Sequence, residues 1–202
     1  MPHDNITLLD YIRHGQPVGG NRFRGQGVDD PLSEKGWRQM RKTVENIDGW
    51  DRIISSPLSR CAEFAGWLAE QRDLPLEIFD DLREVGFGAW EGLNRDQLRR
   101  NHAADYLAFF QDPVNNRPAG AEPLETFRAR IGAVFDRLLE SYPGQHLLIV
   151  AHAGVIRATL GHVTQAPAIS WYRTIVDNAA ISRFVLDREC AKLVTHNWRP
   201  NL

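Results

Sequence analysis

The sequence predicts an α/β layered domain, and three observations carry that prediction. Short apolar segments of strand character alternate with segments whose apolar residues recur at helical spacing. One of the former, residues 146–151 (HLLIVA), is a near-continuous apolar run, as expected of a strand buried on both faces. Two further strand-like segments, at about 180–186 and 191–197, close the chain around a short Asp-Arg-Glu-Cys turn and read as an antiparallel addition. At 202 residues, 43% apolar and 25% charged, the chain is long enough for one well-buried core, so residues 1–202 are taken as a single domain.

In chain order, residues 6–12 (ITLLDYI) predict a first strand that ends at Arg13-His14-Gly15; nothing in the sequence accounts for Asp10 inside it. Residues 16–31, rich in Gly and Asp, predict a loop. Ser33 is an N-cap by residue type, with Trp37, Met40, Val44 and Ile47 following at helical spacing. Residues 51–55 (DRIIS) predict a second strand. Ser56-Pro57 reads as the cap and first turn of a helix whose apolar stripe is Cys61, Phe64, Ala65 and Leu68. Residues 76–79 (LEIF) suit a short edge strand.

Residues 85–120 break the alternation. They hold VGFGAWEG, a helical patch at 106–110 and the turn-rich PVNNRPAGAEP, and predict an insertion or cover rather than part of a sheet. A long helix follows, with Pro123 in its first turn and Leu124, Phe127, Ile131, Val134, Leu138 and Leu139 on one side. The run 146–151 leads into His152-Ala153-Gly154 and a further helical stretch, GVIRATLGHV.

Composition excludes several classes of function. A formal charge of -2 gives no bulk basic field for nucleic acid or an anionic membrane, so anion binding must come from a few focused residues. The start MPHDNITLLDY lacks the pattern of a signal peptide, and no apolar run is long enough to span a bilayer; a cytoplasmic location is expected. Two cysteines, Cys61 and Cys190, supply neither a disulfide framework nor a CxxC metal site.

His14 and His152 each stand where an apolar strand gives way to a glycine-containing turn. Ligands of open α/β sheets bind outside the carboxyl ends of the strands, so the two histidines can face one pocket. Arg60 falls in the first turns of a predicted helix, where the helix dipole disfavours a cation unless an anion binds beside it. Two readings fit: Arg60 and the helix end hold a phosphate, or Arg60 is an exposed arginine paired with Glu63 or Glu84. Glu84 and Glu91 are equally eligible carboxylates. Arg95, Arg99 and Arg100 read as a solvated helix face.

Five segments, taken together and in order, are similar to the histidine phosphatase superfamily, the phosphoglycerate-mutase-like proteins. They are Tyr11-Ile12-Arg13-His14-Gly15, Asp30-Pro31-Leu32-Ser33-Glu34-Lys35-Gly36, Ser55-Ser56-Pro57-Leu58-Ser59-Arg60, Glu84 through Gly92, and His152-Ala153-Gly154-Val155-Ile156-Arg157. The segments 60–65 and 87–92 most resemble the α-ribazole phosphatase branch. Departures from the family pattern are Gln16-Pro17 after Arg-His-Gly, Gly20 followed by Asn21 where an Asn is usual, and Ala153 in place of a glycine.

The resemblance implies a three-layer α/β/α sandwich, its mostly parallel sheet carrying an antiparallel edge strand. It implies catalytic roles for His14, Glu84, His152, Arg13 and Arg60. His14 would attack phosphorus through one ring nitrogen, with the proton on the other held by a backbone carbonyl. Arg13, Arg60 and His152 would hold the phosphoryl oxygens. Glu84 would protonate the leaving alkoxide and then activate the hydrolytic water. Asn21, Gln26, Trp90 and Asn178 are expected at the substrate, with residues 85–120 as its cover and Trp90, Tyr106, Phe109 and Phe110 either packing on a ring-bearing leaving group or filling an accessory core. No metal or other cofactor is expected. The expected partner is a small phosphomonoester, α-ribazole 5′-phosphate first, with a homodimer as an option. The alternatives are a phosphoglycerate mutase, a broad sugar or nucleotide phosphatase, and a non-catalytic phospholigand-binding module.

Overall fold

The central strand is the apolar run seen in the sequence. His146–Ala151 (β4) lies between Thr7–Arg13 (β1) and Arg52–Ser55 (β2), parallel to both, and is buried beyond its first residue. In this computed structural model, which describes residues 6–187 and 189–200, the sheet has six strands. Leu76–Ile78 (β3) is the edge beside β2, as residues 76–79 suggest. On the other side Ile181–Leu186 (β5) runs antiparallel to β1, and Ala191–Trp198 (β6) runs antiparallel to β5 and forms the second edge. The order is therefore β3-β2-β4-β1-β5-β6. Arg188 of the predicted turn and residues 1–5, read for a leader, lie outside the described residues.

Strand alternation feeds two cores, which gives the three layers. Ile12, Ile53, Leu148, Val150 and Ile181 face the helices Glu34–Val44 (α1) and Ser59–Arg72 (α2). Leu9, Tyr11, Ile54, Leu147, Ile149 and Phe184 face the opposite core. There lie Leu124–Ser141 (α5) and Ala153–Thr164 (α6), with residues 85–120 above them. That segment includes the short helices Arg95–Asn101 (α3) and Ala103–Gln111 (α4). Residues 85–120 contain these two helices and a 3-10 turn at Gly88–Trp90, and no strand. No helix among the described residues is long and apolar enough to cross a membrane.

Side-chain caps explain the starts of α1 and α2. Ser33 caps α1 as its residue type suggests, its Oγ accepting the Gly36 amide at 3.1 Å. Ile47 continues the apolar spacing but lies past the helix end, buried in the loop. The predicted start of α2 is corrected by two residues. The helix begins at Ser59, its N-cap Leu58 has no capping side chain, and Pro57 stays outside. Asp29 caps it from a distant loop instead, accepting from the Ser59 amide and hydroxyl at 2.8 and 2.7 Å.

Asp10, unexplained by sequence, is fully buried and saturated with donors. It accepts from Trp50 Nε1 at 2.9 Å and from Arg183 Nε and Nη2 at 2.7 and 2.8 Å, and His146 Nε2 lies at 2.8 Å. Burial alone would push its carboxyl up; the hydrogen bonds of Arg183, His146 and Trp50 outweigh burial and hold it at about 2.

Two glycines bring separate backbones into contact. A Cβ on Gly15 would lie 2.3 Å from the Gly36 carbonyl oxygen, and one on Gly36 would lie 2.2 Å from that of Gln16. The turn after His14 is thereby pressed directly onto the first turn of α1.

Candidate active site

Sheet order brings the two histidines together. β1 and β4 are neighbours with Arg13 opposite Ala151, so His14 and His152 leave the sheet side by side at its carboxyl end. The His14 amide donates to the Ala151 carbonyl at 3.0 Å, which extends the pairing one step beyond the strands. The two rings stand edge-on, 5.2 Å between centroids.

His14 is 6% exposed and its Nδ1 lies 2.8 Å from the Gly15 carbonyl. A carbonyl only accepts, so Nδ1 carries the proton and Nε2 keeps a free lone pair. Burial, then the charges of Arg13 and Arg60, hold the ring well below the usual imidazole range. Neutral His14 is thus the resting form, as a nucleophile requires. Asn178 Nδ2 donates to the His14 carbonyl at 2.9 Å and steadies its backbone.

His152 is fully buried, outside the cavity wall, with Ser56 Oγ 2.7 Å from its Nε2 and Cys61 Sγ 3.4 Å from the Ala151 carbonyl beside it. Burial first, then Arg60 and His14, keep this ring neutral as well. Ser56, read from sequence as a helix cap, meets the imidazole and also accepts the Leu58 amide at 3.3 Å, in a turn that precedes α2.

Arg60 is neither exposed nor paired with Glu63 or Glu84. It is 1% exposed, with Nη1 and Nη2 donating to the carbonyls of Val28 and Gly25, both at 3.0 Å, and Asp29 at 3.7 Å. The helix end beside it is occupied by that same Asp29, so the expected sharing of a phosphate by Arg60 and the α2 terminus is corrected. Arg13 donates to the Val176 carbonyl at 2.6 Å and is lowered to about 10 by burial and by Arg157. The Nε atoms of both Arg13 and Arg60 are buried without a protein partner among the described residues. Unpaired buried donors are costly, and a bound oxyanion would satisfy them.

Arg13, His14, Arg60 and Glu84 all open onto one cavity of about 220 Å³. Glu84 accepts from the Val85 and Gly154 amides at 3.0 and 3.2 Å. Gly154 is needed for this approach, because a Cβ there would stand 2.2 Å from Glu84 Oε1. Glu91 is the structural carboxylate of the pair. It binds the amides of Gln26, Gly27 and Phe87 and ties the 25–27 loop to the cover.

The expected substrate contacts fare less well. Trp90 is 4% exposed and packs on Phe23, Tyr106 and Phe109 in an accessory core. Gln26 donates to Glu122, Asn178 to the His14 backbone, and Asn21 is exposed; none of the four lines the cavity. Of the aromatic residues of the cover, Phe110 does reach the wall, alongside Phe23, Phe87 and Tyr172. Arg22, Arg24, Arg95 and Arg157 also line it. Arg95 had read as part of a solvated face, and no local pattern marks Arg22 or Arg24.

Fold and site together define an α/β protein able to hold a tetrahedral oxyanion against a neutral imidazole at the carboxyl end of its sheet. The chain belongs to the histidine phosphatase superfamily (branch 1), whose model matches residues 9–199, and it is a phosphatase of that superfamily. It is 30% identical over 196 residues to the adenosylcobalamin/alpha-ribazole phosphatase of Salmonella typhimurium, covering 94% of this chain and 97% of that one. Among solved structures it superposes on a mycobacterial glucosyl-3-phosphoglycerate phosphatase with a TM-score of 0.84 at 27% identity, over 95% of this chain and 99% of the other. The alpha-ribazole phosphatase of Shigella flexneri gives 0.80 at 27% identity, over 95% and 96%.

Proposed function

We propose that this chain hydrolyses a small phosphomonoester through a phosphohistidine at His14 Nε2. The observation that carries the reading is the Gly15 carbonyl on Nδ1, which leaves a neutral ring with its free lone pair beside two arginines whose Nε donors lack partners. The phosphoryl oxygens sit on Arg13 and Arg60. His152, buried behind them with its Nε2 2.7 Å from Ser56 Oγ, packs edge-on against the His14 ring and holds it in place for the attack. Glu84 protonates the departing oxygen, then takes a proton from the water that cleaves the phosphohistidine. Phosphoryl transfer asks mainly for positioning and positive charge, and the arginines supply both without a metal. The test is a turnover screen with and without EDTA, combined with trapping of the phosphoenzyme. Acid-labile, base-stable label on His14 and EDTA-insensitive turnover are expected. Label on another residue, or activity restored only by a divalent ion, would overturn the scheme.

Two leaving groups are supported. α-Ribazole rests on the names of the relatives and on the rings of Phe23, Phe87, Phe110 and Tyr172 at the cavity. A hydroxy acid is the second, favoured by arginines on the wall beyond those that hold the phosphate.

A further inference from the structure

Glu84 stands on a stretch without regular secondary structure. Residues 83–87 run from the 3-10 turn at Asp80–Leu82 to the one at Gly88–Trp90. Glu84, Val85 and Phe87 line the cavity from this stretch. A helix or strand fixes its side chains through its own hydrogen-bond ladder. A bare segment has no such ladder, so its main chain must be held by other groups if a carboxylate on it is to stay within reaction geometry.

Arg130 of α5 and Glu122 just before that helix supply the hold. Arg130 Nη1 donates to the Arg83 carbonyl at 3.0 Å and also to the Asp81 carbonyl. Its Nε and Nη2 grip the Glu122 carboxylate at 3.2, 3.0 and 2.9 Å. Glu122 Oε2 accepts the Gly86 amide at 3.2 Å, and the Glu122 amide donates to the Gly86 carbonyl at 3.1 Å. The Arg130 guanidinium lies 4.8 Å over the ring of Phe127, which is fully buried, and that packing sets its plane. The pair therefore seizes the main chain immediately before Glu84 and two residues after it, while neither member lines the cavity itself.

All three nitrogens of Arg130 are engaged in this bracket. A largely desolvated ion pair adds little stability over apolar packing, whereas its planar fork fixes direction. Gln26 Nε2 also donates to Glu122, at 3.0 Å, and the neighbouring Gly25 carbonyl accepts from Arg60. One carboxylate thus joins the segment of the proton donor to the loop that holds a phosphate-binding arginine.

We propose that Arg130, acting with Glu122, is a positioning residue that aims Glu84 at the departing oxygen. This rests on the reading of Glu84 as the proton donor and adds the groups that set its place. Arg130 touches neither substrate nor the reacting atoms; it acts through the main chain at residues 83 and 86.

The test compares glycerol 3-phosphate, whose alkoxide must be protonated as it leaves, with p-nitrophenyl phosphate, whose leaving group needs no acid. kcat/KM reads only the steps up to departure of the leaving group, so it isolates the half-reaction in which Glu84 is the acid. R130Q should lower kcat/KM for glycerol 3-phosphate by about 10- to 100-fold, the range expected of a misplaced group, and for p-nitrophenyl phosphate by less than about threefold. R130K, which keeps a donor but loses the fork, should recover part of the loss. In an E84Q background, R130Q should lower glycerol 3-phosphate turnover by less than about twofold further, because a group that acts only through Glu84 has nothing left to aim. Equal losses on the two esters in R130Q, or a further loss of about tenfold in the E84Q background, would overturn the proposal and leave Arg130 a brace of the fold. Should circular dichroism show R130Q unfolded, E122Q, which keeps the shape of the side chain, decides the matter by the same pair of esters: a selective loss on glycerol 3-phosphate supports the proposal and an equal loss overturns it. E84Q alone tells the two readings apart. If it slows both esters alike, Glu84 is not the acid and both readings fall. If it slows glycerol 3-phosphate selectively and R130Q does not, only the positioning role falls.

Discussion

β1 carries two buried polar centres three residues apart, and they are built to opposite rules. At Asp10 one carboxylate meets an arginine, an indole and an imidazole, and every bond is closed within the protein. At Arg13 and His14 the cations crowd together, two guanidinium Nε atoms go unpaired, and the imidazoles are pushed neutral. Closed charge of the first kind fastens β1 to β4, β5 and the segment around Trp50. Open charge of the second kind costs stability and is useful only when a ligand completes it. Burial and charge alone do not separate structure from function here; the second centre opens onto the cavity and the first does not.

The sharpest break in this contrast is His14→Ala. It should lower turnover by roughly 10^4-fold or more, as loss of a nucleophile does, and abolish labelling by the phosphoryl group. Unchanged turnover would move the chemistry elsewhere. Next is Arg60→Gln, expected to cost about 10²- to 10³-fold in kcat/KM, the usual worth of a preorganised donor to the reacting oxygens. The same variant has a titration signature. Arg60 is one of the charges that depress His14, so removing it should raise the midpoint of the His14 ring in an NMR titration toward 6.5, whereas in wild type the ring stays neutral well below that.

Gly154→Ala should still fold, at a modest cost in stability: the new methyl would stand 2.2 Å from Glu84 Oε1, which must move, and 3.1 Å from Val85 Cγ1, which must give slightly. It should displace Glu84 and slow alkyl phosphates by about 10²-fold, with much less effect on p-nitrophenyl phosphate, whose leaving group needs no acid. Equal losses on both would show that Glu84 is not the acid.

The smallest effect belongs to the closed centre. Asp10→Asn should leave kcat/KM unchanged and remove about 2 kcal/mol of stability at pH 7, measured by denaturant melts. The sign follows from a carboxyl lowered from 3.8 to about 2: its stabilisation is complete above 3.8 and is lost as pH falls toward 2. The variant's stability should therefore vary less with pH across that interval. The two depressed histidines act in the same direction at higher pH, since unfolding lets them take up protons below 6.5.

Much of this was legible in the sequence because it is local. The apolar run of β4, the Ser33 cap and the strand-end histidines declare themselves by residue type and spacing. What was not legible is assembled from afar. The donors to Asp10 come from β4, β5 and Trp50, and no pattern in 6–12 announces them. Arg22, Arg24, Arg95 and Arg157 meet only after a loop, the cover and α6 converge. The start of α2 differs from the expectation because Ser56 and Pro57 suit a cap and first turn by type, whereas the carboxylate that caps Ser59 comes from Asp29, thirty residues away. Trp90 stays open in the sequence for the opposite reason: an indole suits ligand and core alike, and here the core took it.

The contact between Gly15 and Gly36 has a consequence for engineering. Because the main chain after the nucleophile rests against the opening turn of α1, the two short segments behave as one machined part, and neither can be transplanted into another scaffold or loosened by directed mutagenesis without carrying the other along.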